Sequence, residues 1–226
     1  MGETSELSIS IKSAELTPNQ EVELRDRTHL IISTDISSGE YAKGIKAAPL
    51  ERDDGLALLM VRNATKAQQL NPLLIMSIFA NISGKRTYQS LRKLEGFWGE
   101  AKPLIVQGAI EAQHASKEAV DRAIEVLKNS PASVSLVALG AFTDVAEIVR
   151  IAKKQGLSDK IAEIILTVPS EDVEGDSLSF NSKADPEALN YLKQSGTTLV
   201  YGWNGVLQHA VTRRSCTDFR RLRGSA

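Results

Sequence analysis

At 226 residues the chain has the size of one domain, enough to bury about 70% of its unfolded surface without staples. A hydrophobic fraction of 42% and a charged fraction of 24% exclude a disordered chain, and a formal net charge of −1 excludes a general electrostatic nucleic-acid binder. A single cysteine, Cys216, excludes an internal disulfide framework and a cysteine-built zinc site, and no apolar run reaches the roughly 18 residues of a membrane span.

The chain opens with the polar stretch Met1-Gly2-Glu3-Thr4-Ser5-Glu6. It has no basic start followed by an apolar core, so no secretory signal is predicted and a cytoplasmic address is expected. Residues 1–28 form a polar lead-in, with one alternating patch at Leu7-Ser8-Ile9-Ser10-Ile11 that reads as an added edge strand or a tail.

From His29 short apolar runs alternate with segments of helical period. Leu30-Ile31-Ile32 is predicted as a buried strand. Leu56, Leu59 and Met60 share a helical face after the acidic start at Asp53-Asp54. Residues 73–79 form a second strand, followed by Tyr88, Leu91, Leu94 and Phe97 at helical spacing, then a short third strand over residues 103–106. Ser116 is placed to cap a helix with the stripe Val120, Ala123, Ile124 and Leu127. Residues 134–138 form a fourth strand. Thr143 is expected to cap the next helix, with Ile148, Val149 and Ala152 inward and Gly156 at its end. A fifth strand covers residues 164–166. Asp185-Pro186 starts a helix that Gly196 ends, and a sixth strand covers residues 198–201. This alternation predicts an α/β domain over residues 29–210: a mostly parallel layered sheet with helices on both faces. Residues 211–226 form a basic tail carrying Arg213, Arg214, Arg220, Arg221 and Arg223.

In such sheets ligands bind at the carboxyl ends of the strands. The residues there are Ser33-Thr34-Asp35, Ala80-Asn81, the run from Leu139 to Asp144, and Ser179-Phe180-Asn181, with Asp53-Asp54 opening the first helix. Carboxylates and amides gathered on one rim make an oxygen-rich site suited to calcium or to a polyol such as ribose. The competing reading makes Asp35 a turn residue and Asp53-Asp54 a helix cap. No G-x-G-x-x-G follows a strand, and Ser83-Gly84-Lys85-Arg86-Thr87 lacks the spacing of a P-loop. His114 reads as an exposed loop residue and Trp98 as core or rim. Trp203, just past a strand, is the better stacking platform.

Taken in order, several segments resemble the inosine–uridine-preferring nucleoside hydrolase family. The stretch from Ser135 to Ala146, SLVALGAFTDVA, is similar to the family's TLVALGPLTNIA. Residues 179–188, SFNSKADPEA, resemble EFNxxxDPEAA. Ile31-Ile32-Ser33-Thr34-Asp35 and the segment from Asp53 to Leu59 look like two halves of IIDTDPGxDDALALL. Phe79-Ala80-Asn81-Ile82-Ser83 resembles VAGNVS, and Tyr201-Gly202-Trp203-Asn204 a late VGLDVT. The resemblance spans residues 30 to 206 in family order.

That resemblance implies calcium-assisted hydrolysis of the N-glycosidic bond of a ribonucleoside. Asp35 would be a calcium ligand and the base that activates water. Asp54 would be a second ligand, and Leu139 a third through its backbone carbonyl. Asp53, Asn81 and Asn181 would bind ribose. It also implies a homo-oligomer, and neither a membrane nor a specific nucleic-acid partner. The chain departs from the family in spacing Asp35 and Asp53 eighteen positions apart, with an inserted loop from Ser38 to Arg52. It carries Ser33 and Ser179 where the family has acids. His209 is followed by Ala210, so the family's late His-Asp pair has no counterpart. The expectation is therefore a divergent, C-terminally truncated member. The alternatives are a non-catalytic nucleoside-binding or protein-interaction module, or a fragment of an active hydrolase.

Overall fold

A computed structural model of the protein describes residues 27–36, 52–80, 83–99, 102–168 and 179–201, with the side chains of Arg52, Asp53 and Leu56 left out. The alternating patch at residues 7–11, most of the inserted loop, the basic tail, Asn81, Trp203, His209 and Cys216 therefore lie outside the described residues.

Six strands form one sheet: β1 (Thr28–Thr34), β2 (Leu70–Ser77), β3 (Leu104–Gln107), β4 (Val134–Ala138), β5 (Ile161–Leu166) and β6 (Leu199–Tyr201). Every neighbouring pair is parallel, and the strand order is β3-β2-β1-β4-β5-β6. The helices are α1 (Arg52–Lys66), α2 (Gly84–Lys93), α3 (Lys117–Asn129), α4 (Thr143–Lys154), α5 (Phe180–Ala184) and α6 (Pro186–Gln194). Parallel neighbours demand crossovers, and the helices cover both faces of the sheet. One core layer gathers Ala119, Val120 and Ala123 of α3, Val145 and Val149 of α4 and Leu189 of α6 against Ile31, Leu74 and Leu136. The other gathers Leu58 and Val61 of α1, Leu91 of α2 and Trp98 against Leu30, Ile32 and Ile75.

β2 and β5 each begin three residues earlier than their apolar runs predict, and each has a bulge at its start. β1 pairs Leu30 with Pro72 but Ile31 with Leu74, so Leu73 is the extra residue. Pro72 cannot donate to a ladder, and a bulge is where a strand tolerates it. β4 likewise pairs Val134 with Ile161 but Ser135 with Glu163. Among helices, α1 buries Ala57, Leu58, Val61 and Ala64, while Leu59 is 39% exposed; the inward face is rotated from the predicted stripe. The helical segment after Gly84 breaks at Leu94 into a short 3-10 turn, Glu95–Trp98. Ser116 caps α3 as predicted, accepting from Ala119 N, and Asp185 caps α6, accepting from Ala188 N at 3.1 Å. Thr143 does not cap α4. It is the first helical residue, behind Phe142, and its hydroxyl donates instead to Asp185 Oδ2 at 2.5 Å. Gly156 and Gly196 follow their helices with φ of +69° and +75°, the left-handed region where glycine is favoured.

Candidate functional site

The strand order fixes where a site can form. The chain runs outward from β1 through β2 to β3, then returns to β4 on the other side of β1 and runs outward again. The carboxyl ends of β1 and β4 therefore flank the switch point, where the two connections leave in opposite directions and open a crevice. The residues there are Asp35 after β1 and Leu139-Gly140 after β4. The two ends are tied by a main-chain bond from Leu139 N to the Ser33 carbonyl at 2.8 Å.

Asp35 is 1% exposed. Gly140 lies against it: a Cβ there would stand 2.9 Å from the Asp35 carboxylate and 2.6 Å from Ile78 Cγ2. Only glycine lets the β4 exit come this close, so Gly140 is a part of the site that the sequence named only within a longer motif. Asp54, in the first turn of α1, is also buried. Its Oδ2 accepts a hydrogen bond from the Thr34 hydroxyl, and that hydroxyl accepts in turn from Ile36 N at 3.2 Å. One threonine thus joins the end of β1 to the start of α1. A separation of nineteen positions from Asp35 in sequence does not keep Asp54 from the end of β1. Asp53 precedes it in α1, with its side chain outside the described residues.

Across the crevice, Asn181 lies in the short helix α5, whose first turn is capped by Ser179 accepting from Ser182 N. Its Nδ2 donates to the Leu139 carbonyl at 2.7 Å and to Thr167 Oγ1 at 3.0 Å, with the Thr167 carbonyl at 3.4 Å. The Thr167 hydroxyl also reaches the carbonyls of Leu139 at 2.9 Å and Ala138 at 3.0 Å. Asn181 and Leu139, assigned separate roles in the sequence, thus meet on one oxygen atom. Next to Asn181 the ring of Phe180 is 58% exposed. Ser33 is fully buried on β1, and its hydroxyl has no hydrogen-bond partner.

A second group of acids holds the connector between β3 and α3. Asp144 accepts from Ala109 N at 2.7 Å and Ser116 N at 2.8 Å. Asp185 accepts from Gln113 N at 3.0 Å as well as from Thr143 and Ala188. Burial pushes the Asp144 carboxyl up to about 6, against the pull of its two N–H donors. Gly108 makes room for it, since a Cβ there would lie 2.3 Å from Asp144 Oδ2. His114, on the same connector, is exposed as expected, near Glu111 and the Ala112 carbonyl.

Calcium takes six to eight oxygen ligands. Among the described residues no three Asp, Glu, His or Cys side chains converge as a metal cluster. The available set is the two buried carboxylates of Asp35 and Asp54 and the Leu139 carbonyl. It fits calcium in kind, being all hard oxygen. The carbonyl already accepts from Asn181, and the Thr167 hydroxyl, whose one proton serves either this carbonyl or that of Ala138, lies 2.9 Å away. A cation there competes with these donors.

The sequence matches the family model described as inosine-uridine preferring nucleoside hydrolase over residues 49–225. The match begins after β1 and runs through the segment read above as a basic tail. A comparison with curated protein sequences finds no match. Among solved structures, the chain is similar to a plant nucleoside hydrolase, with a TM-score of 0.61, 17% identity, and coverage of 78% of this chain and 59% of that one. It is similar to a purine-preferring ribonucleoside hydrolase from Gardnerella vaginalis, with a TM-score of 0.60, 16% identity, and coverage of 77% and 60%. The type III effector protein XopQ, solved with adenosine diphosphate ribose, gives a TM-score of 0.58 at 16% identity, covering 82% and 61%. The chain spans about three fifths of the length of each of these structures. At these identities the likeness speaks for the α/β fold.

Proposed function

The chain belongs to the inosine-uridine preferring nucleoside hydrolase family, and from that premise we propose that it binds a ribonucleoside at the β1–β4 rim and hydrolyses its N-glycosidic bond with calcium bound there. The observation that carries the proposal is the gathering, at the switch point, of Asp35 against Gly140 and of Asp54 against Thr34. Buried carboxylates at a strand end are costly to keep ionised unless partners or a ligand repay the desolvation.

In this reading Asp35 accepts the proton of the attacking water, while the C1′–N bond to the base breaks and a C1′–O bond forms. Asp35 and Asp54 would hold the calcium ion, joined by the Leu139 carbonyl. When bound, calcium supplies positive charge that orients the sugar diol and favours deprotonation of water. The anionic side chains offset the charge that develops on the sugar ring. Asn181 receives a sugar hydroxyl, as do Asp53 and Asn81 by the family resemblance. The exposed ring of Phe180 offers an apolar face to the base. The ligand is a ribonucleoside, the working form a homo-oligomer and the address cytoplasmic.

The test is release of ribose from inosine and uridine by the purified chain, with calcium and with chelator. Release that chelator abolishes supports the proposal. Absence of release from folded protein contradicts it.

A second reading keeps ligand binding without turnover. The observation favouring it is the Leu139 carbonyl, which already accepts from Asn181 Nδ2 within the protein. It predicts a calorimetric signal with inosine or adenosine diphosphate ribose and no ribose release under any metal condition.

A further inference from the structure

Thr167 follows β5 and belongs to none of the motifs read from the sequence. We propose that it is a positioning residue for Asn181: its hydroxyl helps hold the side-chain amide with the nitrogen turned inward, so that Asn181 meets a ligand only as a hydrogen-bond acceptor. The ligand part of this proposal rests on the binding role given to the rim above.

An asparagine amide has two N–H donors and one carbonyl oxygen. Asn181 Nδ2 faces three protein acceptors, the Leu139 carbonyl at 2.7 Å, Thr167 Oγ1 at 3.0 Å and the Thr167 carbonyl at 3.4 Å, so both donors are turned to the protein. Thr167 Oγ1 accepts because its own proton goes to a main-chain carbonyl, Ala138 at 3.0 Å or Leu139 at 2.9 Å. Thr167 is itself fixed by its N–H, which donates to the Ala138 carbonyl at 3.1 Å. The reversed amide would set its oxygen against the Leu139 carbonyl oxygen and waste both protein acceptors, so the partners decide the orientation.

What remains for a ligand is Asn181 Oδ1. It is complementary to a hydroxyl, which donates. It is not complementary to a phosphate or carboxylate oxygen, which only accepts. The sub-site at Asn181 is therefore built for a free sugar hydroxyl and disfavours the same position once phosphorylated.

The experiment follows the Asn181 side-chain amide protons by NMR in ¹⁵N-labelled protein, alongside calorimetry with inosine. Thr167→Val keeps the shape and removes the hydroxyl, and Thr167→Ser restores it. Amide proton exchange at Asn181 is expected to quicken about tenfold in Thr167→Val, and inosine affinity to fall about fivefold, the size of one neutral hydrogen bond. Thr167→Ser is expected to match the wild type in both. Unchanged exchange in Thr167→Val, or a serine variant as impaired as the valine one, overturns the proposal. If the wild type binds no inosine, the binding reading of the rim fails, and the exchange measurement still decides the orienting role. Should Thr167→Val not fold, Thr167→Ala carries the same readouts.

Discussion

Two groups of buried aspartates sit at the carboxyl end of one sheet, and only one of them is seen to hold a distant connector by its main chain. Asp144 and Asp185 accept main-chain N–H groups of a distant connector, at Ala109, Ser116 and Gln113. Satisfying those donors holds the connector to α4 and α6. Asp54 instead meets the hydroxyl of Thr34, a group that rotates and both donates and accepts. Asp35 lies against a glycine that gives it room. Asp144 and Asp185 tie distant segments of the fold together, whereas Asp54 has in the Thr34 hydroxyl a partner that rotates and can yield to a ligand. Residue type alone does not separate the two groups.

The comparison can be broken by substitution. The largest expected effect is on turnover. Asp35→Asn keeps the shape and removes the base, so ribose release should fall about 10²- to 10⁴-fold, with the melting temperature near that of the wild type. A large loss of stability instead would place Asp35 with the structural group. Asp185→Ala removes the acceptor for Gln113 N, Ala188 N and the Thr143 hydroxyl. At about 1 kcal/mol for each bond, unfolding in denaturant should show a loss of about 3 kcal/mol.

Asp144 gives a prediction with a sign. Its folded-state carboxyl is raised from 3.8 to about 6, so between those values the folded protein binds a proton that the unfolded chain does not. Stability should therefore fall as pH rises from about 4 to about 6 and then level, over a span of about 3 kcal/mol. In Asp144→Asn that slope should flatten, as measured by denaturant unfolding across the range. A slope that persists unchanged would show that other groups carry it.

The alternation of apolar runs and helical stripes made the layers legible, because each run had to be buried on a parallel sheet. The α3 stripe of Val120, Ala123, Ile124 and Leu127 is buried as read. Strand starts were less legible: Asn71-Pro72 and Ala162-Glu163 interrupt the apolar pattern at the places where bulges absorb them. The strand order, which creates the rim, depends on which side of β1 the chain returns to, and no local pattern encodes that. Asp35, Asp54, Leu139 and Asn181 were picked out through motif order and strand ends. Thr167 escaped, and Gly140 was read only as part of a longer run, because their importance lies in contacts with distant residues. Thr167 is a single hydroxyl just past β5, and its partners come from Leu139 and Asn181. Thr143 looked like a cap, but a carboxylate 42 positions away competes for its hydroxyl.

The rim acids Asp35 and Asp54 are proposed as ligand groups and the connector acids Asp144 and Asp185 as structural ones. Calorimetric titration of calcium into the wild type, Asp35→Asn and Asp144→Asn at neutral pH tests this most directly. The account predicts binding by the wild type, affinity at least about tenfold weaker in Asp35→Asn as an anionic ligand is lost, and affinity unchanged in Asp144→Asn. No calcium binding by the folded wild type, or equal affinity in the wild type and Asp35→Asn, would contradict it.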